Sequence, residues 1–172
     1  GKPLAQIVIG SRPQGVERHA AQELQRVIAQ MSGARLAVRN APAPDLVNVF
    51  IGSACPAGDV NLSGSELGFD GYVVKSVGRN VVLTGAKPYS CLYAVYHLLE
   101  RHLGCGFFED GQQVPGRTTI ELDRLDDVCR PRFQCRIYFT CMQDAYSGMR
   151  WWDWDEWKSW VDWLASERLN VW

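Results

Sequence analysis

All seven tryptophans of this chain lie between Trp151 and Trp172, and none occurs earlier. Trp carries one of the largest apolar surfaces a core can accept. The C-terminal stretch must therefore pack by different rules from the residues before it, and the break predicts a domain boundary. Residues 1–125 read as one α/β domain and 126–172 as the beginning of another. The chain has 172 residues, of which 47% are hydrophobic and 22% charged, a balance that buries a core and excludes intrinsic disorder. With 18 Lys and Arg against 19 Asp and Glu the net charge is -1, so no basic surface points to nucleic acid or to an anionic membrane. The apolar runs Val47 to Ile51 and Val81 to Leu83 fall far short of the ~20 residues of a membrane helix. Neither nucleic acid nor membrane is an expected partner.

The first part alternates strand and helix signals. Gln6 to Ile9 is a short apolar run stopped by Gly10, and a helix follows from Val16 to Met31. There Ala20, Leu24, Val27, Ile28 and Met31 recur at three- and four-residue steps. Arg35 to Arg39, Asn48 to Gly52 and Gly71 to Ser76 read as strands. Val77-Gly78-Arg79-Asn80 is a hairpin turn returning into Val81 to Gly85. A second amphipathic helix runs from about Tyr89 to Leu103, and short strands are expected at Phe107-Phe108 and at Thr119 to Leu122. The expected fold is a small two-layer α/β sandwich, with a mixed sheet and two helices.

Residues 1–125 show no catalytic set. Ile9 to Gly15 is a strand, turn and helix without the glycine spacing or Lys-Ser/Thr ending of a phosphate loop. His97 and His102 are five apart on one helix, which puts them on different faces and argues against a shared metal. Glu109-Asp110 reads as a solvated turn. The six cysteines have no metal-ligand rhythm and read as isolated thiols, and no metal or cofactor is expected. Asn61-Leu62-Ser63 forms a glycosylation sequon of low weight. The chain opens on Gly1-Lys2-Pro3 without Met, so removal of a signal peptide and an extracellular, periplasmic or lysosomal location are expected.

Polar residues from Leu122 to Asp127 read as a linker, and Phe133 to Phe139 as a strand. A loop holding Cys141, Gln143, Asp144 and Tyr146 leads to Asp153 and Glu156, whose spacing fits a capping box that starts a helix near Trp154. On that helix Trp154, Trp157, Trp160, Val161, Leu164 and Ala165 share one arc, expected to be core, while Trp163 falls on the polar side. Leu169 to Trp172 is a fresh apolar strand. Strand, loop, helix and strand make the first βα unit of a (β/α)8 barrel, in which the loops after the strands carry the active site.

The run Tyr146-Ser147 followed by Trp151-Trp152-Asp153-Trp154 and Trp157, with Asp162-Trp163-Leu164-Ala165 and Leu169-Asn170, resembles the opening of the catalytic barrel of glycoside hydrolase family 89, the α-N-acetylglucosaminidases. Asp70 to Val74, Leu83 to Ala86, Leu92 to Glu100 and Leu103 to Cys105 resemble the small α/β domain ahead of that barrel. Related domains precede the barrels of β-hexosaminidases and α-glucuronidases. The resemblance implies retaining exo-hydrolysis of glycans ending in α-linked N-acetylglucosamine by two carboxylates, which would lie beyond Trp172. It also implies that Tyr146 and Cys141 line the sugar pocket, where a Tyr ring stacks on sugar C–H faces and its hydroxyl bonds a sugar OH. The competing expectations are a non-catalytic carbohydrate-binding module using exposed Trp, and the equivalent region of a β-hexosaminidase or α-glucuronidase.

Overall fold

A computed structural model of the chain describes residues 3–56, 64–138 and 151–170. The elements run β1 (Ala5–Val8), α1 (Gly15–Ser32), β2 (Ala37–Arg39), β3 (Val47–Ile51), a short α2 (Gly64–Leu67), β4 (Tyr72–Val77), β5 (Asn80–Gly85) and α3 (Ser90–His97). They continue with a π-helical turn (Leu98–His102), β6 (Gly106–Phe108), β7 (Gly111–Gln113), β8 (Asp126–Cys129) and α4 (Trp154–Ser166). Six strands form one mixed sheet in the order β2-β1-β3-β5-β4-β8. The first four are parallel neighbours, and β4 runs antiparallel to both β5 and β8.

The sheet's pleat explains the layers. Successive side chains alternate faces, so Ile7, Val49, Ile51, Val74, Val81 and Leu83 join α1 and α3 in one large core. Val8, Phe50 and Val82 form a smaller cluster on the other side. The α1 stripe lies where its periodicity predicts, with Ala20, Leu24, Val27, Ile28 and Met31 all buried. Glu17 is buried too. It accepts hydrogen bonds from Gln14 N at 2.7 Å and Ser53 N at 2.5 Å. Gly52 sits beside this carboxylate at φ +60°, where a Cβ would collide with Glu17 Oε1.

Three expectations are corrected. Thr119 to Leu122 forms no strand. The sixth strand is β8, which begins within the Leu122 to Asp127 stretch whose polar character reads as a linker, because an edge strand needs only one apolar face. Between Phe133 and Tyr138 the backbone makes only an isolated bridge at Ile137 rather than a regular strand. The third concerns the histidines. In an α-helix five residues advance about 140° beyond a full turn, but α3 ends in a π turn closed by Leu103 N donating to Leu98 O at 3.1 Å. The wider turn brings residues five apart nearly into register. His97 and His102 therefore face the same side, with ring centroids 5.9 Å apart.

The capping box on α4 is present: Asp153 Oδ1 accepts from Asp155 N and Glu156 N, and Asp153 N donates to Glu156 Oε2 at 2.8 Å. No helix among the described residues is long and apolar enough to cross a membrane.

Candidate functional site

Cys141 and Tyr146, which the family resemblance assigns to sugar binding, fall outside the described residues, as do the sequon and Trp172. The structure does show how both ends of the segment carrying Cys141 and Tyr146 are held. Tyr138 on the entering side and Trp152 on the leaving side both pack on Trp160, at ring-centroid distances of 5.6 and 6.1 Å. Trp160 is buried in α4 beside Leu164, so a single indole brings the two roots together.

The aromatic face of α4 differs from the expected stripe. Trp154 is 76% exposed and Trp157 37%, while Trp163 is half-buried and packs edge-on against Tyr138 at 5.5 Å. The inward face begins nearly two turns later than the apolar pattern suggests, with Trp160, Trp163 and Leu164 at three- and four-residue steps. Trp151, at 81% exposure, and Trp154 present exposed indoles at the start of this segment. Trp157 leans edge-on against Trp152 and Trp160 at 5.4 and 5.7 Å.

A buried ionic junction ties this aromatic unit to the sheet domain. Asp70, wholly buried just ahead of β4, receives both guanidinium nitrogens of Arg136, Nη1 to Oδ1 at 3.2 Å and Nη2 to Oδ2 at 2.5 Å. Arg136 Nε donates to Arg168 O at 2.7 Å, and Nη1 also donates to Phe133 O at 2.7 Å. Asn170 completes the junction. Its Nδ2 donates to Asp70 Oδ2 at 3.0 Å and to Gln134 O at 2.8 Å, while its Oδ1 accepts from Arg136 N at 2.9 Å. Asn170 N donates to Arg136 O at 3.0 Å, a backbone link between the chain before the 139–150 segment and the chain after α4. Burial works against the Arg136 charge, but the Asp70 bonds outweigh it and raise its pKa. Burial also pushes the Tyr93 phenol up to about 12; its hydroxyl donates to Leu169 O at 3.2 Å.

A second ion pair docks α4 on α1: His19 Nε2 lies 2.8 Å from Asp162 Oδ1, and Lys158 Nζ lies 2.7 Å from Asp162 Oδ2. The Asp162 hydrogen bond raises the His19 pKa against the opposing effect of burial. Asp70, Asp162 and Asn170 lie in segments that carry the family resemblance, but nothing in the sequence pairs Asp70 and Asn170 with Arg136 or Asp162 with His19.

The chain is thus an α/β sheet domain to which an aromatic helical segment is clamped through Asp70, Arg136 and Asn170. The profile described as "Glycosyl hydrolase family 67 N-terminus" matches residues 2–98, more than half of the chain, and the chain belongs to that family. Among solved structures, a GH115 4-O-methyl-α-glucuronidase with specificity for decorated arabinogalactans is similar over 100% of this chain and 25% of its own, at TM-score 0.70 and 12% identity. A GH138 enzyme targeting pectin rhamnogalacturonan II matches over 100% of this chain and 24% of its own, at TM-score 0.64 and 13% identity. The GH20 β-N-acetylhexosaminidase of Streptomyces coelicolor A3(2) matches over 77% of this chain and 23% of its own, at TM-score 0.50 and 16% identity. At these identities the likeness is one of fold. Among curated proteins none matches the chain. The chain spans no more than a quarter of the length of these structures.

Proposed function

We propose that residues 1–125 are the supporting N-terminal domain of an exo-acting glycoside hydrolase and that residues 126–172 open its (β/α)8 catalytic barrel. The observation that carries this reading is the Arg136–Asn170 backbone link. It sets the chain entering the 139–150 segment beside the chain leaving α4, as the first two strands of a parallel barrel require. In this reading the 139–150 segment is the loop after the first barrel strand, and Tyr146 and Cys141 line the terminal-sugar subsite. The substrate is a glycan ending in α-linked N-acetylglucosamine, and two carboxylates further along the barrel act as acid/base and nucleophile.

A second reading takes its substrate from the activity named for the similar GH115 enzyme, a 4-O-methyl-α-glucuronidase, and is a terminal α-linked glucuronic acid. The two are separated by assaying a full-length enzyme that carries this chain on synthetic aryl α-N-acetylglucosaminide, on aryl β-N-acetylglucosaminide and on oligosaccharides capped by α-linked 4-O-methylglucuronate. Release from the first supports the N-acetylglucosaminidase reading. Release from the last alone replaces it with the glucuronidase reading.

A further inference from the structure

The end of α3 and the edge strand β8 bring together three metal-ligating groups that no step above uses. Asp127 sits on β8, paired in register with Val74 of β4. Its Oδ2 lies 2.6 Å from His102 Nε2 and 3.4 Å from His97 Nε2. The ligating atoms of all three residues lie within 4.8 Å of one another. Donors around a tetrahedral zinc ion stand roughly 3.3 Å apart, so small side-chain rotations suffice to enclose an ion. The side chains are 14%, 25% and 36% exposed for His97, His102 and Asp127, which leaves a solvent path to a mostly protein-walled site.

The other nitrogen of His97 is also held. Nδ1 faces Tyr72 Oη at 3.3 Å and Cys129 Sγ at 3.7 Å, and Tyr72 is buried at 6% exposure. A ligating imidazole is characteristically oriented by a hydrogen bond to its second nitrogen. Here Nδ1–H donating to Tyr72 Oη leaves the Nε2 lone pair aimed at the Asp127 side. Cys129 lies across the ring from Asp127 and is no ligand in this arrangement. The nearby cation Arg168 is paired with Glu100 Oε2 at 2.6 Å, which offsets its charge toward an incoming ion.

We propose that His97, His102 and Asp127 form a binding site for one divalent transition-metal ion of the zinc class, with Tyr72 holding His97 in the ligating tautomer. Two imidazoles and a carboxylate suit zinc and leave a fourth position for water. The ion fastens the π turn at the end of α3 to the outermost strand of the sheet. The site lies between the end of α3 and the outermost strand of the six-stranded sheet and stands apart from the glycosidase reading.

The test strips the purified protein with a chelator and titrates Zn²⁺ by calorimetry and Co²⁺ by visible absorption. The expected result is one tight equivalent, with cobalt d–d bands and no thiolate charge-transfer band. Binding falls to background in His102→Ala and in the isosteric Asp127→Asn, and weakens about 10-fold in Tyr72→Phe. Zinc also raises the melting temperature of the wild type but not of Asp127→Asn, whose fold is checked by circular dichroism. The proposal is overturned by the absence of a saturable equivalent, by equal binding in wild type and Asp127→Asn, or by a thiolate band that persists in both.

Discussion

Replacing Arg136 by Met keeps the length and much of the packing of the side chain while removing its charge and its fork of donors. The wholly buried Asp70 carboxyl would keep Asn170 Nδ2, at 3.0 Å, as its remaining side-chain donor in the junction. Removing one member of a buried pair costs about 3–5 kcal/mol, because the remaining charge is uncompensated. With an unfolding entropy of roughly 2.1 cal/mol/K per residue, this corresponds to a melting temperature lower by roughly 8–14 °C for 172 residues. The assay is chemical denaturation of wild type, Arg136→Met, Asp70→Asn and the double variant, followed by Trp fluorescence. Because Asp70→Asn removes the stranded charge, the double variant should be more stable than the sum of the single losses implies, with a coupling of at least ~2 kcal/mol. A loss below ~1 kcal/mol for Arg136→Met, the size expected of an exposed pair, would refute the claim that this junction clamps the aromatic segment to the sheet domain.

Other expectations follow from single contacts. Gly52→Ala forces a left-handed Ala against the Glu17 carboxylate and should cost at least ~1–2 kcal/mol in thermal or chemical unfolding. Burial raises the Glu17 pKa, but the bonds from Ser53 N and Gln14 N outweigh it, so the group titrates below its ordinary 4.5. A depressed carboxylate stabilises the fold above its unfolded value and loses that contribution as pH falls through the folded one. The stability gap between wild type and Glu17→Gln should therefore be constant above about pH 4.5 and shrink at lower pH, as read by urea titrations across that range. His19 shows the opposite sign. Its pKa is raised above 6.5 by Asp162, so its contribution is complete below that value and fades as pH rises through the folded pKa, an effect that His19→Gln should abolish. In the enzyme proposed here, Tyr146→Phe should raise KM for an aryl glycoside more than it lowers kcat, since it removes a sugar-hydroxyl contact present in both ground and transition states.

Much of the α/β domain was legible because its signals are local. The α1 stripe from Ala20 to Met31, the two-residue turn at Gly78-Arg79 and the Asp153/Glu156 box each lie within one or two turns of chain, and each is where its spacing puts it. What escaped depends on long-range pairing. Asp126 to Cys129 becomes a strand only because β4 offers it a free edge, and its own residues carry a weak strand pattern. The His97/His102 register depends on a π turn, which has no sequence signature, so a five-residue spacing misreads as two faces. Trp154 and Trp157 share an arc with Trp160, but the helix meets the domain only from Trp160 onward, and periodicity alone does not say where along a helix its partner begins.

The most direct test of the central claim is a deletion. Residues 1–125 are removed from the full-length enzyme that carries this chain and its whole barrel, and sugar release from aryl α-N-acetylglucosaminide and α-glucuronate-capped oligosaccharide is measured beside that intact protein. The intact protein should hydrolyse one of these, and the truncated form should lose activity together with solubility or melting temperature, since Asp70 and the His19 contact leave with the deleted part. An intact protein inactive on both substrates, or a truncated form equally stable and equally active, would contradict the account.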